Sequence, residues 1–139
     1  MSDSGLTLVT GATGFVGCHL VRKLLQRGER VRILARRQSR LQVLQGLQIE
    51  RVTGDLTDRE SIRQALVGCR FVYHVAADYR LWALDPSVLY QANVEGTRNV
   101  LEAARAARVE RIVYTSTVGA VGMRMIRGAI GQAAVCSAV

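Results

Sequence analysis

Glycines 11, 14 and 17 follow the apolar run Leu6-Thr7-Leu8-Val9 and bracket Phe15-Val16. They are the first residues in this chain whose types and spacing could do chemistry. Glycine lets a backbone turn tightly and approach a bulky anion closely. A helix starting there aims its unsatisfied N–H groups and the positive end of its dipole at the same anion. The chemistry implied is recognition of a pyrophosphate, with Gly17 allowing the helix to pack closely on the strand below. The spacing is G-x-x-G-x-x-G rather than the commoner G-x-G-x-x-G, so an ordinary turn is the competing reading for the motif taken alone.

A second group lies at Arg36-Arg37, directly after the apolar run 31–35. An NAD site places an acidic residue at the end of its second strand, whereas an NADP site places arginine there to meet the 2′-phosphate. The alternative is a solvated arginine pair. No carboxylate stands at this position, so the expected cofactor is NADP(H), with NAD second.

These groups need a scaffold, and the hydrophobic pattern supplies one. Residues 6–9 read as a buried strand. Val16, Leu20, Val21, Leu24 and Leu25 recur at helical spacing up to Gly28. Strands follow at 31–35, 49–52, 71–77 and 111–116. A helix opens at the N-cap Asp58 and a long one runs over about 87–107. Such alternation predicts β-α-β crossovers, a doubly wound parallel sheet of about five strands and an α/β Rossmann-type fold. In that fold ligands sit at the carboxyl ends of the strands. The glycines, Arg36, Asp55-Leu56, the segment 76–79 and Ser116-Thr117 all fall at such ends.

Length and composition exclude other classes. A chain of 139 residues fits one domain, and 49% hydrophobic against 22% charged residues is globular. No apolar run is long enough to span a bilayer and no signal-peptide pattern opens the chain, so a cytoplasmic protein is expected. Cys18, Cys69 and Cys136 are widely spaced, which indicates neither a disulfide framework nor a metal site. The net charge of +8 invites a nucleic-acid partner, but all basic residues except Lys23 are arginine and they are thinly spread. No nucleic-acid partner is therefore expected.

Taken together, these segments resemble the extended short-chain dehydrogenase/reductase superfamily, in the right order from residue 5 to about 122. The resemblance is carried by Thr10-Gly11-Ala12-Thr13-Gly14-Phe15-Val16-Gly17, Gly54-Asp55-Leu56-Thr57-Asp58, His74-Val75-Ala76-Ala77, Asn93-Val94-Glu95-Gly96-Thr97 and Tyr114-Thr115-Ser116-Thr117. The run 74–82, His-Val-Ala-Ala-Asp-Tyr-Arg-Leu-Trp, is most similar to the hopanoid-associated sugar epimerases, relatives of dihydroflavonol 4-reductase. The resemblance implies that Gly11, Thr13, Gly14, Phe15, Val16 and Gly17 line the pyrophosphate and that Arg36 meets the 2′-phosphate. It implies Asp55 and Leu56 for the adenine, Ala76 and Ala77 for the nicotinamide-side ribose, and Asn93 as a brace from the long helix. Thr117 matches the catalytic Ser/Thr, with Ser116 beside it, and Asp78, Tyr79 and Trp82 face the substrate, whose identity is open. His74 is expected to be a strand-end packing residue rather than a base.

The same superfamily performs acid/base chemistry with Tyr-x-x-x-Lys, in which the lysine lowers the phenol pKa toward neutrality. Here the tyrosines are 73, 79, 90 and 114, and the one lysine is Lys23. The segment 123–139 contains no acidic residue, whereas the body before it carries all eleven. This shift in composition suggests a cofactor-binding half over 1–122 and an atypical tail, with a frameshift or early end near Gly122. A short natural variant is the alternative. The expected function is an NADP(H)-binding fragment of an epimerase or ketone/alcohol oxidoreductase that is inactive alone. The competing function is a non-catalytic NADP-sensing module, and the oligomeric state is left open.

Overall fold

The computed structural model describes residues 5–80 and 83–116. Five parallel strands, β1 Leu6–Thr10, β2 Arg30–Ala35, β3 Ile49–Thr53, β4 Cys69–His74 and β5 Arg111–Tyr114, form one sheet in the order β3-β2-β1-β4-β5. The order reverses between β1 and β4, which opens a crevice at their carboxyl ends.

Period-two side-chain alternation sorts the core onto the two faces of the sheet. Leu8, Leu34 and Val72 point to one face, where they meet Ile62 and Leu66 of α2 (Arg59–Leu66) and Val100 and Ala104 of α4 (Gly96–Ala106). Val9, Val31 and Ile33 point to the other, against Val21 and Leu24 of α1 (Phe15–Gln26) and Leu44 of the 3-10 turn Leu41–Leu44. Arg32 lies on the first face and is mostly covered. It donates to the carbonyls of Ala65 and Val67 at 3.0 and 2.6 Å while pairing with Glu50 of β3. That contact ties the end of α2 to the sheet.

Helix starts follow capping chemistry. Asp58 accepts from the Glu60 N–H at 3.0 Å, and Asp85 accepts from the Ser87 N–H at 2.9 Å to open α3 (Pro86–Tyr90). Asp58→Ala is expected to cost about 1 kcal/mol in urea unfolding. A loss below a few tenths would show that the cap is dispensable. One π-helical turn, Gln91–Glu95, joins α3 to α4, so the long helix expected over 87–107 forms with a bulge in its middle.

Three expectations need correction. β5 ends at Tyr114 rather than at residue 116. β4 ends at His74 rather than at residue 77, because the chain leaves the ladder to cross beside Gly11. The Val75 N–H bonds the Thr10 carbonyl at 3.3 Å at that point. Val16, expected on the packed face of α1, is 54% exposed, and Gly17, Cys18, Val21 and Leu24 are the buried residues instead. Among the described residues no helix is long and apolar enough to cross a membrane.

Candidate functional site

Sterics build the cradle at the end of β1. Gly11 has φ +71°, and a Cβ there would stand 2.6 Å from both N and Cα of Ala76. A Cβ on Gly17 would overlap the Gly11 carbonyl. The first turn of α1 therefore lies directly on the strand end, and the chain after β4 lies directly on the glycine turn. Gly14 caps α1 with no side-chain hydrogen bond, and no acidic residue occupies the first turn. Whereas α2 and α3 begin on aspartate caps, α1 leaves its leading N–H groups facing the crevice. Phe15, 82% exposed, and Val16 also line it. An uncapped helix start beside a glycine turn is suited to an anion.

The crevice is a groove of about 710 Å³, within the range of small-molecule and cofactor sites. Gly11, Thr13, Gly14, Phe15, Val16, Gly17, Arg36, Asp55, Leu56, Ala76, Ala77, Asp78 and Tyr79 all border it. Thr10, Ser39, Gly54, Arg80 and Thr115, to which the sequence alone assigns no role, border it as well. Ser39 could have been found from its place in the turn after β2, where its N–H bonds the Arg36 carbonyl at 3.0 Å. The two arginines diverge. Arg36 faces the groove, whereas Arg37 lines a separate cavity of about 520 Å³ beneath the 3-10 turn. A pair of guanidiniums converging on one phosphate is not what the backbone delivers. Ser116 is exposed and does not border the groove among the described residues. Thr117 and Trp82 lie outside the described residues, as does the segment 123–139.

The far wall is fixed by the π-helical turn and α4. Asn93, in the π-helical turn, does not border the groove. Its Oδ1 accepts from the Asp78 N–H and its Nδ2 donates to the Asp78 carbonyl, both at 2.7 Å. Asn99 of α4 donates to the Leu56 carbonyl at 2.9 Å, and Gly96 lets Leu56 pack against the helix. The long helix thus holds the two loops that form opposite sides of the groove. At the base, Thr10 and His74 are fully enclosed and joined by a 2.7 Å hydrogen bond.

Charge in the groove is mixed. The Asp78 carboxylate accepts from the Arg80 Nε at 2.8 Å, and this guanidinium, helped by Arg36, holds the Asp78 pKa below its ordinary value. Asp55 Oδ1 accepts from both the N–H and the hydroxyl of Thr57, at 2.9 and 2.8 Å, which shapes the loop after β3. Desolvation lowers His74 to about 4, so its ring is neutral at physiological pH. Among the described residues no cluster of His, Cys, Asp and Glu could hold a metal ion.

Comparison with known proteins adds to this geometry. Residues 7–129 match the family described as the NAD dependent epimerase/dehydratase family. Over 117 residues the chain is 53% identical to sterol demethylase protein B of Methylococcus capsulatus, a match covering 84% of this chain and 36% of that protein. Among solved structures, gox2253 superposes with a TM-score of 0.80 at 49% identity, covering 90% of this chain and 38% of the other. A short-chain dehydrogenase/reductase superfamily protein of Agrobacterium tumefaciens with bound NAD gives a TM-score of 0.71 at 37% identity, covering 84% and 33%. The chain spans about a third of the length of the curated relatives it matches.

Proposed function

Because the chain belongs to the NAD dependent epimerase/dehydratase family, we propose that the groove at the strand ends holds a nicotinamide dinucleotide and prefers NADP(H) to NAD(H). The observation that carries this preference is Arg36, exposed at the end of β2 and facing the groove, in a turn that contains no carboxylate. A 2′-phosphate there would gain charge-assisted hydrogen bonds, whereas a 2′-hydroxyl would find no carboxylate acceptor on that strand end.

The remaining residues fit the same group. Gly11, Thr13, Gly14, Phe15, Val16 and Gly17 would hold the pyrophosphate on the uncapped start of α1. The adenine falls to Asp55 and Leu56 and the nicotinamide-side ribose to Ala76 and Ala77, with Asn93 bracing this wall through the Asp78 backbone. When bound, the dinucleotide supplies hydride transfer to or from a carbonyl or alcohol. These residues bind and orient; Asp78 and Tyr79 mark the side from which a substrate would approach, with Thr117 as its hydroxyl partner. These 139 residues contain no Tyr-x-x-x-Lys. The chain by itself is therefore a cofactor-binding unit of an epimerase or oxidoreductase and supports no turnover.

A fluorescence titration tests the preference. NADPH is expected to bind at least about tenfold more tightly than NADH, and Arg36→Ala to abolish most of that ratio, in keeping with about 1.5–3 kcal/mol for a charged hydrogen bond. Equal affinities in the unsubstituted chain would overturn the preference.

A further inference from the structure

The buried ring of His74 has no part in the cofactor contacts described above, yet it touches three elements around the groove, β1, β5 and α4. His74 is the last residue of β4 and is fully enclosed. Its Nδ1 lies 2.7 Å from the hydroxyl of Thr10, the last residue of β1, and its Nε2 lies 2.9 Å from the hydroxyl of Thr97 on α4. The ring stacks on Tyr114, the last residue of β5, with centroids 5.4 Å apart. The Thr10 hydroxyl oxygen also accepts from the Ala76 N–H at 3.3 Å. Gly11 follows Thr10 directly, and Ala76 is the residue a Cβ on Gly11 would strike.

We propose that His74 is a positioning residue for the dinucleotide cradle: it fixes the Thr10 hydroxyl, which holds the Ala76 amide and so keeps the chain after β4 against the glycine turn. The reasoning rests on satisfaction of hydrogen bonds. A neutral imidazole has one donor and one acceptor nitrogen, so whichever tautomer is present the two threonine hydroxyls are held in opposite senses. The Thr10 side chain is buried, and a buried hydroxyl that loses its partner turns to find another. Without the ring nitrogen, the Thr10 hydroxyl is released from the rotamer that receives the Ala76 N–H. Thr97 anchors the other side of the ring to α4, the helix that also holds the Leu56 loop. The ring thereby couples the two walls of the groove through its floor. This role presupposes the dinucleotide reading only for its effect on affinity; its effect on the Ala76 amide is a property of the free chain.

Three substitutions separate positioning from packing. His74→Asn keeps a polar atom near the Nδ1 position, within reach of Thr10. His74→Gln reaches toward Thr97 instead, and His74→Phe keeps the volume and the stack on Tyr114 while removing both hydrogen bonds. Positioning predicts that the Asn variant binds NADPH within about threefold of the parent chain, while the Gln and Phe variants lose about tenfold, the scale of one buried hydrogen bond. Packing alone predicts the reverse order, with Phe best and Asn worst. In the dinucleotide-free chain, amide hydrogen exchange at Ala76 is expected to quicken at least tenfold in the Gln and Phe variants and little in Asn. Thr10→Val should reproduce the fast exchange, and combining it with His74→Phe should add nothing further. Unchanged Ala76 exchange in Gln and Phe variants that remain folded by circular dichroism would overturn the proposal. If the parent chain bound no dinucleotide, the functional reading would fail, while the exchange measurements would still decide the role of His74.

Discussion

Gly11→Ala is expected to destabilise the chain by about 3 kcal/mol or more and to abolish dinucleotide binding at concentrations that saturate the parent. Two costs coincide at this position. The left-handed backbone at φ +71° is strained for any residue with a Cβ, at about 1–2 kcal/mol. The added atom also falls 2.6 Å from the backbone N and Cα of Ala76. Backbone cannot rotate out of the way as a side chain can, so β4 and the segment after it must separate from β1, an overpacking cost of about 1–3 kcal/mol. Gly28 provides the control. Its φ is +78°, but a Cβ there meets nothing within 4 Å. Gly28→Ala should therefore show only the backbone cost, about 1 kcal/mol, and leave dinucleotide affinity unchanged. Urea unfolding and a nucleotide titration on the two variants give the comparison. Equal losses of stability and affinity at positions 11 and 28 would show that close approach to Ala76 contributes nothing.

The second large effect is on the pH dependence of stability. The chain has two histidines; His19 is exposed and His74 is fully enclosed, with its pKa lowered by desolvation from 6.5 to about 4. Between these values the unfolded chain binds a proton that the native ring refuses, so stability falls as pH drops below 6.5. The loss accumulates at about 1.4 kcal/mol per pH unit and levels off near the native value, for a total of about 3 kcal/mol. Above the unfolded pKa this contribution is fully present. Glu50, Asp78 and Glu110 also have lowered pKa values, through Arg32, Arg80 and Arg70 respectively, but they are carboxylates and act at lower pH. Subtracting the stability profile of His74→Asn from that of the parent isolates the ring. A slope across pH 4–6.5 that survives the substitution would assign the acid sensitivity to other groups.

Much of the fold was legible because it rests on local rules. Short apolar runs in β1, β2 and β4, helical spacing from Leu20 to Leu25, and the Asp58 cap each depend on neighbours within a few residues. The errors arose where a distant element intervened. Val75, Ala76 and Ala77 are as apolar as a strand, but the requirement to pass Gly11 takes them out of the ladder. Val16 falls at a helical spacing that fits the core, yet the start of α1 projects past the sheet into the groove. Arg36 and Arg37 are adjacent in sequence and look equivalent there; the turn after β2 sends them to different cavities.

By itself, the sequence determined the class of fold, the glycine turn that opens α1 and the charge at the end of β2. Each follows from residue types within a short window: glycines before a helix, arginines after a strand, short apolar runs and an apolar period of about four. Tertiary structure alone decided that His74 joins Thr10 to Thr97 and that Asn93 grips Asp78 through its backbone. These contacts span 64, 23 and 15 residues for Thr10–His74, His74–Thr97 and Asp78–Asn93. A hydrogen bond forms only between groups brought within about 3 Å. For partners so far apart, parallel pairing of β1 with β4 and the seating of α4 on the sheet set that distance, and no local pattern encodes it.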